Sequence, residues 1–161
     1  MAPRRVHSIQ AQLLVKSKEA ALNAVQTFNN PLTTFKSETF IVNMIIAWTY
    51  LLHAYFRREG VEYRHHEVIH VRRRFQRTES GAIKHWSLRT CLGAKKCPLD
   101  KPMISNLLFL IGLRDEIEHR MCLGLDESMS ARYFACCLNY ETALTRLFGR
   151  KYSLEHDVLV T

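Results

Sequence analysis

Nine residues in the second half of the chain, GLRDEIEHR from Gly112 to Arg120, carry the side chains best suited to chemistry. Arg114 supplies a permanent cation that can grip a phosphate, and His119 a group that moves protons near neutral pH. Asp115 and Glu118 stand between them. Arginine and histidine in one cleft are the parts for phosphodiester cleavage without a metal. One stabilises charge developing on oxygen, and the other acts as general base or acid.

The surrounding sequence reads as a helix. Asp100 offers the cap and Pro102 sits in the first turn, and the pattern runs to about Met121. On that helix Leu107, Leu110, Ile111, Ile117 and Met121 form one apolar stripe. Arg114 falls inside it, about 20° from Leu107. A buried guanidinium is costly unless paired, so Arg114 needs a partner, a cavity or an anion. Glu118, one turn on, is the internal partner if the motif is only structural and His119 merely exposed. Asp115 and His119 are also four apart, so the carboxylate can accept from the imidazole and fix its tautomer. Arg114 and His119 themselves lie roughly 140° apart, so they share no face of one straight helix. They can converge across a two-fold axis between two copies.

Other helices must position this one. Ser8 to Phe28 places Ile9, Leu13, Ala20, Ala21, Ala24, Val25 and Phe28 at helical spacing, and NNP at 29–31 breaks the pattern. A second helix is predicted to start near Thr34 to Ser37, whose hydroxyls can cap it. Its stripe is Phe40, Ile41, Met44, Ile45, Trp48, Leu51, Leu52 and Tyr55, and RREG ends it with cations and a glycine. Asn43, Thr49 and His53 interrupt the apolar segment Phe40 to Tyr55, which is too short for a bilayer and reads as a core helix. A short helix is expected over His85 to Leu92, with GAKKCPLDKP as a turn and GLDES as a loop. A last helix starts at Ser128 or Ser130, runs through Leu147 and stops at Gly149. With few Gly, Pro and Val, the fold class is all-α, a single domain over 1–161 built as a bundle of four to five helices. The core spans about 8–149, and the tail 150–161 packs weakly or continues into more protein.

Twenty-three Lys and Arg against fifteen Asp and Glu leave a formal charge of +8, which favours a polyanionic partner such as RNA, DNA or an anionic membrane. Solubility alone is the other reading. The excess concentrates between Arg57 and Arg77, where seven Arg and three His face three Glu. VEYRHHEVIHVRRRFQRTESG, at 61–81, mixes alternation with β-branched and aromatic residues, so a short β-hairpin or an irregular basic loop is expected. Arg72, Arg73, Arg74 and Arg77 are its candidate RNA contacts, with Phe75 and Tyr63 to stack bases. A solvated charge run is the alternative. Lys84 and Arg89, in IKHWSLR, serve packing first and substrate second. Lys36 and Glu38, in FKSETF, reach the cleft or, for Glu38, favour a helix N-terminus.

Five cysteines, an odd count with an adjacent pair, read as buried reduced thiols of a cytoplasmic protein. CLGAKKC is one pair without a second knuckle, and His65, His66 and His70 read as surface histidines, so no metal is expected. The basic MAPRRVHSIQ has no following apolar run, so neither a signal peptide nor a membrane anchor is expected. There is no Gly-rich phosphate loop, and no cofactor is expected.

RDEIEH resembles the R-polar-x3-H signature of HEPN-superfamily ribonucleases, small α-helical bundles with the motif on a late helix. ALNAVQTFNNPLTTFKSETFIVNMIIAWTYLLHAYFRREG, GAIKHWSLRTCL, KCPLDKPMISNLLFLIGLRDEIEHRM and SARYFACCLNYETALTRLFG are similar to a bacterial family catalogued as a domain of unknown function and grouped with HEPN. The similarity covers about Ala20 to Gly149. It implies a homodimer whose motif helices meet in one cleft holding two Arg and two His. Arg114 would bind the scissile phosphate, His119 would act as general base or acid, and Asp115 would orient the site. Glu118, Lys36 and Glu38 would support them. The products would be a 2′,3′-cyclic phosphate and a 5′-OH, made without metal. A role in phage defence or as a toxin follows by association, with an antitoxin or an additional domain as further partners. Some HEPN toxins carry a modified Tyr two residues after the His, where this chain has Met121. The alternatives are a non-catalytic RNA- or nucleotide-binding module and a structural dimerisation domain.

Overall fold

Ser8 accepts a bond from the Ala11 amide at 3.1 Å and opens α1, Ile9–Asn29, in a computed structural model that describes residues 8–119 and 125–158. The helix buries Leu14, Ser17, Ala21 and Ala24, a narrower stripe than periodicity predicts, and leaves Ile9 half exposed. After the break at Pro31, α2 runs Lys36–Arg58 and lies along α1. It is the central element. Phe40, Ile41, Met44, Trp48, Leu51, Leu52 and Phe56 are all buried on it. Its N-cap is Phe35 without a side-chain bond, so the expected hydroxyl cap does not form. Ser37 instead donates from both its amide and its hydroxyl to Asp126, at 3.0 and 2.5 Å. At the other end Arg57 and Arg58 close the last turn, and Gly60 turns the chain at φ 71°.

By length and composition α2 is long and apolar enough to cross a bilayer, longer than the apolar segment alone suggests. More than half of that window is buried inside the bundle, the pattern of a core helix.

The helix expected from His85 is shorter. Residues 82–86 pair as extended chain, and α3 spans only Leu88–Leu92, capped by Ser87. Asp100 caps α4, Lys101–His119, by accepting from the Met103 amide at 3.0 Å. Met121, predicted as the helix end and as a site departure, lies outside the described residues, as does Cys122. GLDES is not all loop, since Leu125–Ser128 forms the single turn α5, tied to α2 through Asp126. Then α6, Ser130–Phe148, buries Tyr133, Cys136, Tyr140, Ala143 and Leu144 and ends at Gly149, φ 106°.

A buried hydroxyl relay joins three helices. Ser17 of α1 donates to the Ala47 carbonyl of α2 at 2.6 Å and shares a 2.7 Å bond with the Tyr140 hydroxyl of α6. Beside it Trp48 stands edge-on to Tyr140 and donates to the Cys136 sulfur at 3.4 Å. The tail is better anchored than expected. A 3-10 turn at Arg150–Tyr152 leads to α7, Glu155–Val158. Glu141 accepts from the Ser153 hydroxyl and the Leu154 amide, and Lys18 pairs with Asp157 at 2.9 Å.

The basic excursion is a hairpin, β1 His66–Ile69 against β2 Arg72–Phe75, antiparallel with Glu67 opposite Arg74 and Val68 opposite Arg73. Its root is stitched by a third segment. His65 donates to the Lys84 carbonyl, Lys84 to Gln76, Gln76 to His65 and Trp86 to Tyr63, each at 2.8–2.9 Å. The architecture is therefore an all-α bundle with a short β-hairpin excursion.

Candidate functional site

The last two turns of α4 gather most of the motif at the surface. Arg114 does not reach the core. Its side chain is 35% exposed, because Leu107, Leu110 and Ile111 fill the buried stripe a turn or more earlier. Its Nη2 and Nε donate to Asp115 Oδ1 at 3.0 and 3.3 Å, and Glu118 stands 3.9 Å from Nε. So the required partner is present, but it is Asp115 more than the predicted Glu118. The other Asp115 oxygen faces Arg89 Nη2 of α3 at 3.8 Å. One half-exposed carboxylate thus sits between two guanidiniums from different helices. The Arg114 Nη1 donors have no bond among the described residues, and such wet pairs are held by at most about 1 kcal/mol.

His119 lies exposed on the final turn of α4. The expected bond from the His119 imidazole to the Asp115 carboxylate does not form, because the carboxylate oxygens face Arg114 and Arg89. Along the helix Arg114 and His119 are separated by about 7.5 Å of rise and roughly 140° of rotation. The structure brings Arg89, Arg114, Asp115 and Glu118 together and leaves His119 pointing elsewhere on the same helix end. Lys36 and Glu38 open α2 next to α5, on either side of the Ser37–Asp126 bond.

A second group forms on the excursion. Arg73, Arg74, Arg77 and Lys84 line one groove with Phe75, Gln76 and Glu67, about 800 Å³ in volume. Arg72 pairs with Ile69 at the hairpin end, outside that lining. Arg77 also donates to the Gly81 carbonyl at 2.8 Å and holds the 78–81 turn. The stacking residues are less free than expected. Tyr63 is buried, stacked 4.7 Å from the His53 ring, and the Arg64 guanidinium lies 4.2 Å over Phe75.

Sequence reading missed Glu62 and His53. Glu62 accepts from Arg64 Nε and Nη2 at 2.7 and 2.8 Å, from the Arg64 amide at 3.1 Å and from Arg73 at 3.3 Å. The Arg64 bonds hold its carboxyl below the usual carboxylate range, although burial works the other way. The spacing Glu62–Arg64, two apart on an extended segment, puts both on one face and was the available signal. His53 sits in the core of α2, where burial lowers its pKa to about 4 against the bond to Trp86. Its only sequence signal was a histidine on an apolar stripe.

The described cysteines are all free. Burial pushes the Cys91 and Cys136 thiols up to about 12 and Cys137 to about 11, which makes them poor nucleophiles. Among the described residues no three His, Cys, Asp or Glu stand together as metal ligands.

Residues 12–161 match the family described as a domain of unknown function (DUF3644), and the chain belongs to that family. No curated protein and no solved structure matches it.

Proposed function

We propose that this member of the family is an endoribonuclease of HEPN type that needs no metal and works as a homodimer. The observation that carries the reading is the loosely held, solvent-open Arg114 one and a half turns from an exposed His119 at one helix end. In this reading an incoming phosphate displaces Asp115 from Arg114, which costs little because the pair is wet. The guanidinium then neutralises the phosphorane oxygens. His119 of one copy takes the proton of the ribose 2′-OH, whose oxygen attacks phosphorus, and returns it to the leaving 5′-oxygen, while Arg114 of the other copy holds the phosphate. The ends left are a 2′,3′-cyclic phosphate and a 5′-OH. DNA, lacking the 2′-OH, is not cut. The rotation between Arg114 and His119 is the reason to place the site between two copies.

The groove of Arg73, Arg74, Arg77 and Lys84 supports a phosphate backbone as the ligand, and Arg89 sits on the short helix that follows the excursion. A role in defence against phage, as a toxin held in check by a partner, is the matching biological reading. A second reading has its own support. The groove of Arg73, Arg74, Arg77 and Lys84 holds a phosphate backbone without Arg114 or His119, so in this reading the chain binds RNA without cutting it.

Labelled RNA incubated with purified protein in EDTA separates the two. Cleavage with cyclic phosphate ends, lost in Arg114→Ala and His119→Ala, is the expected result. Equal cleavage by wild type and both variants points to a contaminant and removes the proposal. Salt-sensitive binding with no cleavage supports the second reading.

A further inference from the structure

A cavity of about 540 Å³ lies between α1, α2 and the residues Tyr63, His85 and Trp86 at the excursion root. It shares no residue with the Arg114 cluster or with the basic groove. Five of its eleven lining residues carry rings: Tyr50, His53, Tyr63, His85 and Trp86. His53, Tyr63 and His85 lie within 36° of parallel to one another, with centroids 4.7–5.9 Å apart, and Tyr50 stands edge-on to His53 at 6.4 Å. Aliphatic side chains of α1 and α2 complete the lining.

Two buried residues with polar atoms line this cavity, Tyr63 and His53. His53 is 4% exposed, and its Nε2 lies 2.8 Å from the Trp86 carbonyl. A carbonyl only accepts, so Nε2 carries the proton. Burial keeps the ring neutral, with its pKa lowered to about 4. Nδ1 is then a lone-pair acceptor with no partner among the described residues. At the mouth the Lys16 ammonium stands 5.7 Å over the Tyr50 ring, exposed to solvent. The cavity therefore offers aromatic walls, an imidazole acceptor and one cation.

We propose that this cavity binds the base of a nucleotide: a flat heteroaromatic ring whose N–H donates to His53 Nδ1 while its phosphate pairs with Lys16. An aliphatic guest would leave the acceptor unmatched, and a nucleoside would forgo Lys16. The volume falls in the range of small-molecule sites. The base belongs either to a free mononucleotide or to an RNA strand. Lys84 of the basic groove and His85 of this cavity are chain neighbours on an extended segment, so a strand could reach from one to the other. The proposal stands apart from the ribonuclease reading, since neither Arg114 nor His119 takes part.

The test is tryptophan-fluorescence and calorimetric titration with AMP, GMP, CMP and UMP, with the matching nucleosides, with inorganic phosphate and with a short non-cleavable 2′-O-methyl oligonucleotide. At least one mononucleotide or the oligonucleotide should bind with 1:1 stoichiometry per chain. His53→Phe, which keeps the ring and removes the acceptor, should weaken it about five- to tenfold. Lys16→Ala, on an exposed side chain, should weaken nucleotides about threefold or more and leave nucleosides unchanged. If His53→Phe does not fold, Tyr50→Leu replaces it, with the same loss expected. Sensitivity of mononucleotides to these changes assigns the free ligand, and sensitivity of the oligonucleotide alone assigns the strand. Absence of saturable binding to every probe at millimolar concentration overturns the proposal. So does binding of inorganic phosphate alone, or binding that no variant alters.

Discussion

Glu62 and Asp115 each stand between two guanidiniums, and the two arrangements differ in shelter. Glu62 is 14% exposed and holds Arg64 through both oxygens, with Arg73 at 3.3 Å. Asp115 is 49% exposed and holds Arg114 through one oxygen, with Arg89 at 3.8 Å. The first carboxylate braces a hairpin. The second keeps two cations near each other without committing them. A phosphate can replace Asp115 cheaply and Glu62 only with difficulty, because sheltered, bidentate pairs are the strong ones. The same three charges thus make scaffolding in one place and a candidate anion site in the other.

The largest effect should fall on turnover at the open cluster. His119→Ala or Arg114→Ala should cut RNA cleavage by about a hundredfold or more with the melting temperature unchanged, read in parallel assays. Arg73→Ala, on the braced side, should leave cleavage of a short bound substrate in place. Cleavage that follows Arg73 rather than Arg114 would reverse the assignment of the two regions.

Stability should divide the opposite way. Glu62→Gln should destabilise the excursion by about 1–2 kcal/mol, measured by hydrogen exchange at the His65 and Gln76 amides, whereas Asp115→Asn should cost under about 1 kcal/mol. The acid dependence sharpens this. Glu62 is held below its ordinary value of 4.5, so its contribution is complete above that pH and is lost as pH falls through its lowered folded-state pKa. The excursion of wild type should loosen in that acid window, and that of Glu62→Gln should show no such step.

A smaller effect is expected in binding. Each of Arg74→Ala and Lys84→Ala should reduce the salt slope of single-stranded RNA affinity by about 0.7, without altering sequence preference. The smallest concerns the hairpin tip. His70 and Val71 both hold positive φ, 48° and 70°, where a β-branched side chain is strained. Val71→Gly should stabilise the hairpin by about 1 kcal/mol, visible in hydrogen exchange alone.

The bundle was largely legible in the sequence because its signals are local. Ser8 and Asp100 cap their helices, Gly60 and Gly149 stop theirs, and seven of the eight residues in the predicted α2 stripe are buried, with Tyr55 half-buried. Local signals fail where tertiary contacts decide. Ser37 gives its hydroxyl to Asp126 of a distant turn rather than to its own helix. The His70–Val71 turn lacks the Asn or Gly that marks a two-residue hairpin loop, so the strands were no more than one option. Arg114 was placed on the right helix but too deep, since the projection gives angle and not depth. That Arg89 shares Asp115 depends on how α3 meets α4, which no spacing within either helix encodes.

The central claim is that Arg114 and His119 act together only across two copies of the chain. Arg114→Ala and His119→Ala protein, each inactive alone, should be mixed under conditions that exchange subunits and assayed on RNA in EDTA. A composite site predicts that cleavage returns, at about a quarter of the wild-type rate, since half the dimers are mixed and each has one intact pair. A mixture that exchanges subunits and stays inactive, or a wild-type monomer that cuts, would contradict it.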